Sequence, residues 1–296
     1  MRVIEYKVEP YFEGKKLISF LRGHVKISVR LLRSLKRIEG AIKINGENAR
    51  TIDLLHEGDT VTLSMPEDEN HSIPIEYDLK VIYEDDDVLV IDKPAMLPMH
   101  ESHNHQGDTL ANAVAGYLKK KGRSLTFRAV GRLDKGTSGL VICALNSHSA
   151  ARLSGNFEKT YYAMATGYYE GTGTIDKPIY RPDPMKTYRT ADDRGDRAVT
   201  HYEVLESKEG YSLLKIHLET GRTHQIRVHF AHLGTPLYGD RMYGTEHNII
   251  GRQALHCGEV SFTHPVTGEK IELRAELPED MQALRTELTG NRNKIL

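Results

Sequence analysis

The chain has 296 residues, 39% of them apolar, enough to bury a substantial core in one large domain or in a large and a small one. No apolar run reaches the roughly 20 residues that cross a bilayer, and the charged opening MRVIEYKVEPYFEG lacks the apolar centre of an export signal, so a cytoplasmic protein is expected. The formal net charge of -1 is a cancellation: residues 1–50 hold 12 Lys and Arg against 5 Asp and Glu, residues 51–92 hold 1 against 13, and the remainder 27 against 23.

Residues 28–40 (SVRLLRSLKRIEG) place Leu31, Leu32, Leu35 and Ile38 at helical spacing, with Arg30, Arg33, Lys36 and Arg37 on the opposite face. Ser28 suits the N-cap and Gly40 the stop. Asn45-Gly46 then predicts a tight hairpin, and HEGDTVTLSM a turn with a closing strand. A basic helix face is ordinarily a solvated surface; here seven cations between Arg22 and Lys43 are interrupted only by Glu39, which favours a surface facing phosphates.

Residues 66–76, acidic and flanked by prolines, read as a linker between a module at 1–65 and a second domain at 77–296. Two strands joined by Asp85-Asp86-Asp87 follow. The three aspartates are expected to form a solvated turn rather than a metal site, because adjacent side chains of an extended segment face opposite ways. Further on, GLVICAL (139–145) predicts a buried strand, Ser147 to Phe157 a helix capped by Asn146 or Ser147, KTYYAMATG another strand, YSLLKIHLE (211–219) a strand ending at a Thr-Gly turn, and Gln225 to Leu233 a helix stopped by Gly234. Strands outnumber helices and connections are short. The expected class is therefore α+β, a mixed and largely antiparallel sheet with flanking helices, plus a small N-terminal α/β module.

Three kinds of chemistry compete for the remaining residues. His100, His103, His105, His224, His229 and His232 raise the question of a metal hydrolase, but HExxH spacing is absent, no acidic residue accompanies His224, His229 and His232, and residues 100–105 read as a surface loop, so no metal is expected. Cys143 lies inside an apolar run and Ser138 lies outside a nucleophile-elbow motif; neither suits nucleophilic catalysis, and Cys143 and Cys257 read as buried free thiols. The third set is GRLDKGTSGL, with the lone carboxylate Asp134 behind Arg132, together with Tyr161 in EKTYYAMATG and with Arg222 and Arg227 in ETGRTHQIRVHFAHLGTPLYGD.

These motifs, with VIYEDDDVLVIDKPAML and RQALHCGEVSFTHPVTGE, occur in the order of the pseudouridine synthases of the RluA/RluD type, which the chain resembles from about Leu79 to Asp280. The first 65 or so residues are similar to the alpha-L RNA-binding module that often precedes that catalytic domain. The resemblance implies an isomerase that converts uridines of structured RNA, large-subunit ribosomal RNA or tRNA, without a cofactor, and it implies a monomer. By position Asp134 matches the family's attacking aspartate, Tyr161 the tyrosine that packs on the target base and is proposed to help move a proton, and Arg227 the cation paired with the aspartate. Arg132 matches the arginine that fills the gap left by the departed base. Where the family usually has His-Arg-Leu-Asp, this chain has Gly131, which puts target choice or loop geometry in question.

The residue types suit that chemistry. A desolvated carboxylate stays ionised beside a cation, an extruded base costs a few kcal/mol to unstack, and an aromatic ring returns about 1 to 3 kcal/mol by stacking on it. Arg222, with the N-terminal Arg30, Arg33, Lys36 and Arg37, is expected to contact RNA, and Lys93 and Lys159 to steady backbone or phosphate. Thr137, Ser138 and Gly139 are expected to support the turn after Asp134 through local hydrogen bonds, and Gly221 and Thr223 are structural. A non-catalytic ribosome-assembly factor on the same scaffold is the competing reading.

Overall fold

The computed structural model describes residues 2–66, 72–102 and 105–290. Residues 67–71 of the expected linker, and His103 of the histidine set, lie outside them. Within residues 2–65 the order is β1 (Arg2–Lys7), α1 (Leu17–Gly23), α2 (Val29–Leu35), β2 (Ile42–Ile44), β3 (Glu47–Asn48) and β4 (Thr60–Met65). The strands form one antiparallel sheet in the order β1-β4-β2-β3, with Asn45-Gly46 turning β2 into β3. Its core is made by Ile4, Leu17, Phe20, Leu21, Leu31, Leu32, Leu35 and Leu63, with Phe12 and Phe20 edge to face at 5.0 Å.

Ser28 caps α2 as expected, its hydroxyl accepting from the Leu31 N–H at 3.1 Å. The helix ends at Leu35, five residues before Gly40. Beyond Leu35 the bonds tighten to the third residue back, Arg37 to Ser34 and Ile38 to Leu35, and Ile38 is 40% exposed instead of joining the core stripe. Two cationic residues follow Leu35 before the next apolar one, so a further helical turn would bury little.

The second part contains β5 (Lys80–Glu84), β6 (Val88–Lys93), α3 (Leu110–Lys120), β7 (Arg128–Val130), β8 (Ser138–Ala144), α4 (Ser147–Leu153), β9 (Phe157–Ala165), β10 (Thr172–Asp176), β11 (Ile179–Tyr180), β12 (Thr190–Ala191), β13 (Val199–Lys208), β14 (Tyr211–Leu218), α5 (Gln225–His232), β15 (Leu255–Thr263), β16 (Lys270–Arg274) and α6 (Glu279–Thr289). Ten of these strands share one sheet, in the order β10-β13-β14-β9-β15-β8-β6-β5, with β16 beside β15 and β7 beside β8. This is the mixed α+β arrangement expected: every pair is antiparallel except β8 and β15.

That parallel contact spans only Ser138 with His256 and Cys257 with Gly139, yet it sets the position of the site. It brings the segment just before β8, which carries Asp134, to the middle of the sheet, where Cys257 also pairs with Tyr161 on β9. Gly139 makes the approach possible. A Cβ there would stand 2.2 Å from the Cys257 carbonyl oxygen, and its φ of +109° disfavours any other residue. All seven residues of β8 are buried, so Leu140→Ala or Ile142→Ala would cost about 2 to 5 kcal/mol.

Three expectations change. The helix placed at 147–157 stops at Leu153, because Gly155 takes a left-handed φ of +75° and Phe157 already opens β9; Asn146, not Ser147, is its cap. Part of the expected linker is docked: the Ile75 N–H bonds the Asn112 carbonyl at 3.2 Å, and Asn112 Nδ2 donates to the Ile73 carbonyl at 2.9 Å. The Asp85–Asp87 turn is not a solvated loop, since Asp87 is 1% exposed. It accepts from Arg2 Nη2 at 2.6 Å, Asn146 Nδ2 at 2.8 Å and Ser149 Oγ at 3.3 Å. The run that looked like excess charge is a latch, closed by a guanidinium from β1.

Candidate active site

Asp134 sits in an irregular segment between β7 and β8, and the segment is pinned from behind. Lys93, fully buried, donates to the carbonyls of Pro94, Leu97 and Lys135 at 2.9, 3.0 and 3.2 Å. Burial, aided by the Arg252 charge, pushes its ammonium down to about 7; the three carbonyls nevertheless call for all three of its N–H donors. Arg252 donates to the Gly136 carbonyl at 3.1 Å while held by Asp280 at 2.7 and 2.8 Å. The Thr137 N–H closes a turn onto the Asp134 carbonyl at 3.0 Å.

The hydroxyls expected to bond locally reach across the fold instead. Thr137 accepts from Gln253 Nε2 at 3.2 Å and Ser138 pairs with His256 Nδ1 at 2.9 Å. Both residues are buried, Thr137 just before β8 and Ser138 at its start, so their hydroxyls find partners on adjacent elements.

Arg227 projects from α5 and is 7% exposed. Its Nε and Nη2 meet Asp240 at 2.7 and 2.9 Å in a two-point clasp, and its Nη1 reaches Asp134 Oδ2 at 3.1 Å. Burial disfavours the cation, but the Asp240 and Asp134 carboxylates outweigh it and raise the guanidinium above its ordinary range. Asp240, 1% exposed, also accepts the Met242 and Tyr243 N–H groups at 3.0 and 3.3 Å. One cation thus spans a fully buried carboxylate and a half-open one, an arrangement that fixes the planar guanidinium in place. Asp240 does not stand out in the sequence, because an aspartate in a Gly-Asp turn is ordinary there; its position after a motif arginine is the available signal.

His224, the residue before α5, has a left-handed φ of 59°. Its Nδ1 lies 2.8 Å from the Tyr243 hydroxyl and its Nε2 3.9 Å from Asp134 Oδ2. It does not group with His229 or His232. His229 bonds Thr200 and the Lys177 carbonyl, both at 2.9 Å, and His232 is exposed on the far turn. Among the described residues, the group at metal-binding spacing is Asp85, Asp87 and His264. There the His264 Nδ1 accepts the Val266 and Thr267 N–H groups, so the proton sits on Nε2 on the side of Asp85, and the imidazole turns no lone pair toward the two carboxylates.

Tyr161 is 8% exposed beside Asp134, and burial raises its phenol well above the ordinary range, with Cys257 and Asp134 adding to the shift. Arg132, Asp134, Thr137, Tyr161, Arg222, His224 and Arg227 line one narrow cleft of about 80 Å³. Gln225 braces its rim, its Oε1 accepting from the Thr220 hydroxyl and the Arg222 N–H at 2.9 and 3.0 Å. The Cys143 and Cys257 thiols are pushed by burial up to about 12 and about 11, so neither offers a thiolate. A larger cavity of about 450 Å³ lies at the joint of the two parts, lined by Arg2, Arg123 and Arg128. Its lining has no carboxylate held by a buried cation beside an aromatic ring, the combination that the smaller cleft offers.

Arg30, Arg33, Lys36 and Arg37 are all exposed, on α2 and the turn after it, and none of them lines this cleft. Gly131 has a φ of +73°, and a Cβ there would stand 2.9 Å from Phe157 Cζ and 3.0 Å from Lys159 Nζ. The space that a histidine would need is filled by those two side chains. Lys159 Nζ is buried with no hydrogen-bond partner among the described residues, so it holds neither the backbone nor an exposed phosphate position as expected.

Residues 87–232 match the family described as RNA pseudouridylate synthase. The chain is 38% identical over 292 residues, 96% of each protein, to the Uncharacterized RNA pseudouridine synthase YhcT of Bacillus subtilis. It is 38% identical over 271 residues, 84% of the chain and 81% of the relative, to the Ribosomal large subunit pseudouridine synthase D of Xanthomonas campestris. Among solved structures, Human RNA Pseudouridylate Synthase Domain Containing 1 superposes with a TM-score of 0.53 at 26% identity, covering 67% of this chain and 83% of that one. The chain belongs to the RluA/RluD-type pseudouridine synthases, isomerases of uridine in RNA.

Proposed function

We propose that this isomerase acts on uridines of large-subunit ribosomal RNA in the cytoplasm, as a monomer, with Asp134 as its attacking group. The ribosomal substrate named for the Xanthomonas relative supports that choice of RNA, and tRNA is the second arm of the test. The observation that carries the residue assignment is Arg227 bridging Asp134 and the buried Asp240 in a cleft shared with Tyr161.

The target uridine leaves its stack to reach the cleft. The bond from ribose C1′ to uracil N1 breaks, the ring turns, and C1′ joins C5; the C5 proton departs and N1 regains one, so nothing is added or oxidised. The Asp134 carboxylate takes C1′ as N1 leaves and is displaced from it when C5 joins, and Arg227 pairs with the free carboxylate at the start and end of that exchange. A phenol that keeps its proton is a stacking surface before it is a base, so Tyr161 supports the extruded ring. Arg132, exposed at the mouth, fills the vacated stack, and Arg222 contacts the strand beside it. Arg30, Arg33, Lys36 and Arg37 add affinity through phosphates. An isomerisation of this kind draws on side chains alone and needs no cofactor.

The test is pseudouridine mapping on RNA from cells lacking the gene, treated with wild-type protein or Asp134→Asn. Sites restored by the wild type alone establish the assignment. Equal restoration by both proteins overturns it, and restoration by neither, with RNA binding intact, favours the assembly-factor reading.

A further inference from the structure

The surroundings of His224 fix where its proton sits. The Tyr243 oxygen accepts the Arg189 N–H at 2.9 Å and lies 2.8 Å from His224 Nδ1. Burial pushes the Tyr243 phenol up to about 12, so the oxygen keeps its hydrogen. Among the described residues that hydrogen has one acceptor in contact, His224 Nδ1; were Nδ1 protonated, the phenol oxygen would face two N–H donors and its own hydrogen would find no acceptor among them. The imidazole is therefore the tautomer with hydrogen on Nε2, the nitrogen that faces Asp134.

Both donors near that carboxylate address the same atom. Arg227 Nη1 stands 3.1 Å and His224 Nε2 3.9 Å from Asp134 Oδ2, and among the described residues none donates to Oδ1. The His224 backbone is held in the left-handed region, a conformation that costs on the order of 1 kcal/mol for a residue with a Cβ and that clusters at working sites. We propose that His224 is a positioning residue: its neutral Nε2–H closes the remaining gap to Asp134 Oδ2 when RNA fills the cleft, leaving Oδ1 as the atom that attacks.

A neutral donor suits this task. It orients the carboxylate without adding a second full positive charge beside Arg227, which would blunt the nucleophile. Burial disfavours the imidazolium most, Arg227 and Arg189 add to that, and Asp134 and Asp240 oppose it; the net displacement is downward. Tyr243 works in the same direction, since a hydrogen bond donated to Nδ1 stabilises only the neutral ring.

This inference rests on Asp134 being the attacking group, and the experiment separates the two. The probe is RNA from cells lacking the gene, labelled with tritium at uridine C5, and the reading is tritium release in a single turnover. His224→Leu should lower the rate about 10- to 100-fold, the cost of losing a hydrogen bond to a charged group, with RNA affinity unchanged. His224→Gln, which keeps an N–H at the Nε2 position, should recover most of it. Tyr243→Phe should move the acid limb of the rate profile up toward about 6.5, the ordinary histidine value. Nitrogen-15 spectra should show Nδ1 unprotonated in the free protein. A His224→Leu rate within twofold of wild type, a protonated Nδ1, or a Gln variant as slow as Leu overturns the assignment of His224. Full release by Asp134→Asn overturns instead the reading beneath it.

Discussion

The arginines of α2 and the arginine of α5 are the same residue put to opposite uses. Arg30 and Arg33 lie on an exposed face of α2. Arg227 is 7% exposed, and each nitrogen of its guanidinium donates to a named carboxylate. The first kind acts through a field shared among neighbours, so each member is replaceable and salt weakens them all. The second acts through fixed distances, so no neighbour can substitute for it and salt barely reaches it. Charge counted along the chain finds the first kind and misses the second.

The sharpest way to break this contrast is inside the cleft. Asp134→Asn, which keeps shape and removes charge, should lower single-turnover pseudouridine formation by at least about 10³-fold while RNA binding persists. Next in size is the cation itself. Arg227→Ala leaves Asp240 buried without its partner and should cost about 3 to 5 kcal/mol in denaturant unfolding. Arg227→Glu should cost more, and the paired change Arg227→Met with Asp240→Asn should cost less than Arg227→Ala alone. If both single variants unfold like wild type, the buried clasp is not a stabilising unit.

On the exposed side, Arg30, Arg33 and Arg37 changed together to Gln should weaken RNA binding about tenfold at 0.15 M salt and flatten its salt dependence, by about 0.9 in slope for each phosphate left without a neutralising cation. Turnover of bound RNA should not change. An unaltered salt titration would remove the module from the substrate's path. Smaller still is Gly131→Ala, where the left-handed backbone and the close approach of Phe157 and Lys159 predict a loss of about 1 to 2 kcal/mol by thermal unfolding.

The titration of His148 has no effect on stability at neutral pH. Burial, with the Arg152 charge helping, pushes His148 down to about 4, so between about pH 6.5 and 4 the unfolded chain binds a proton that the folded one refuses. Stability is full above that window and falls as pH drops through it, by about 1.4 kcal/mol per pH unit. His148→Gln should flatten that part of a pH-dependent unfolding series.

What the sequence makes legible follows the same division. Asp134, Tyr161 and Arg227 can be found because their neighbours in sequence form motifs, and the α+β class because strand and helix periods are local. The order β9-β15-β8 cannot, since a two-residue parallel contact between positions 118 residues apart leaves no periodic trace. Asp240 and Arg252 escape for a related reason. Their work is done on carbonyls and carboxylates that only the folded chain brings near, whereas Lys93 steadies backbone as the sequence suggests, at carbonyls that the sequence does not identify. The sequence sets His224 aside as a metal ligand without giving it another role; its surroundings, Tyr243 and Asp134, come from segments 19 residues ahead and 90 behind. The α2 boundary falls short of its expected place because Ile38 continues the apolar spacing while the backbone bonds that would carry it have already changed.

The bond between Arg2 and Asp87 bears on how this enzyme can be dissected. An investigator who trims away the leading module to obtain a minimal isomerase also withdraws the guanidinium that neutralises a carboxylate sealed under the sheet's edge. Asn146 and Ser149 would remain as uncharged companions, and the shortened protein would be weakened at a place far from the visible cut. Loss of activity in such a fragment would then report a fold undone at its hinge as readily as a missing grip on RNA, and Asp87→Asn in the fragment is the repair that tells them apart.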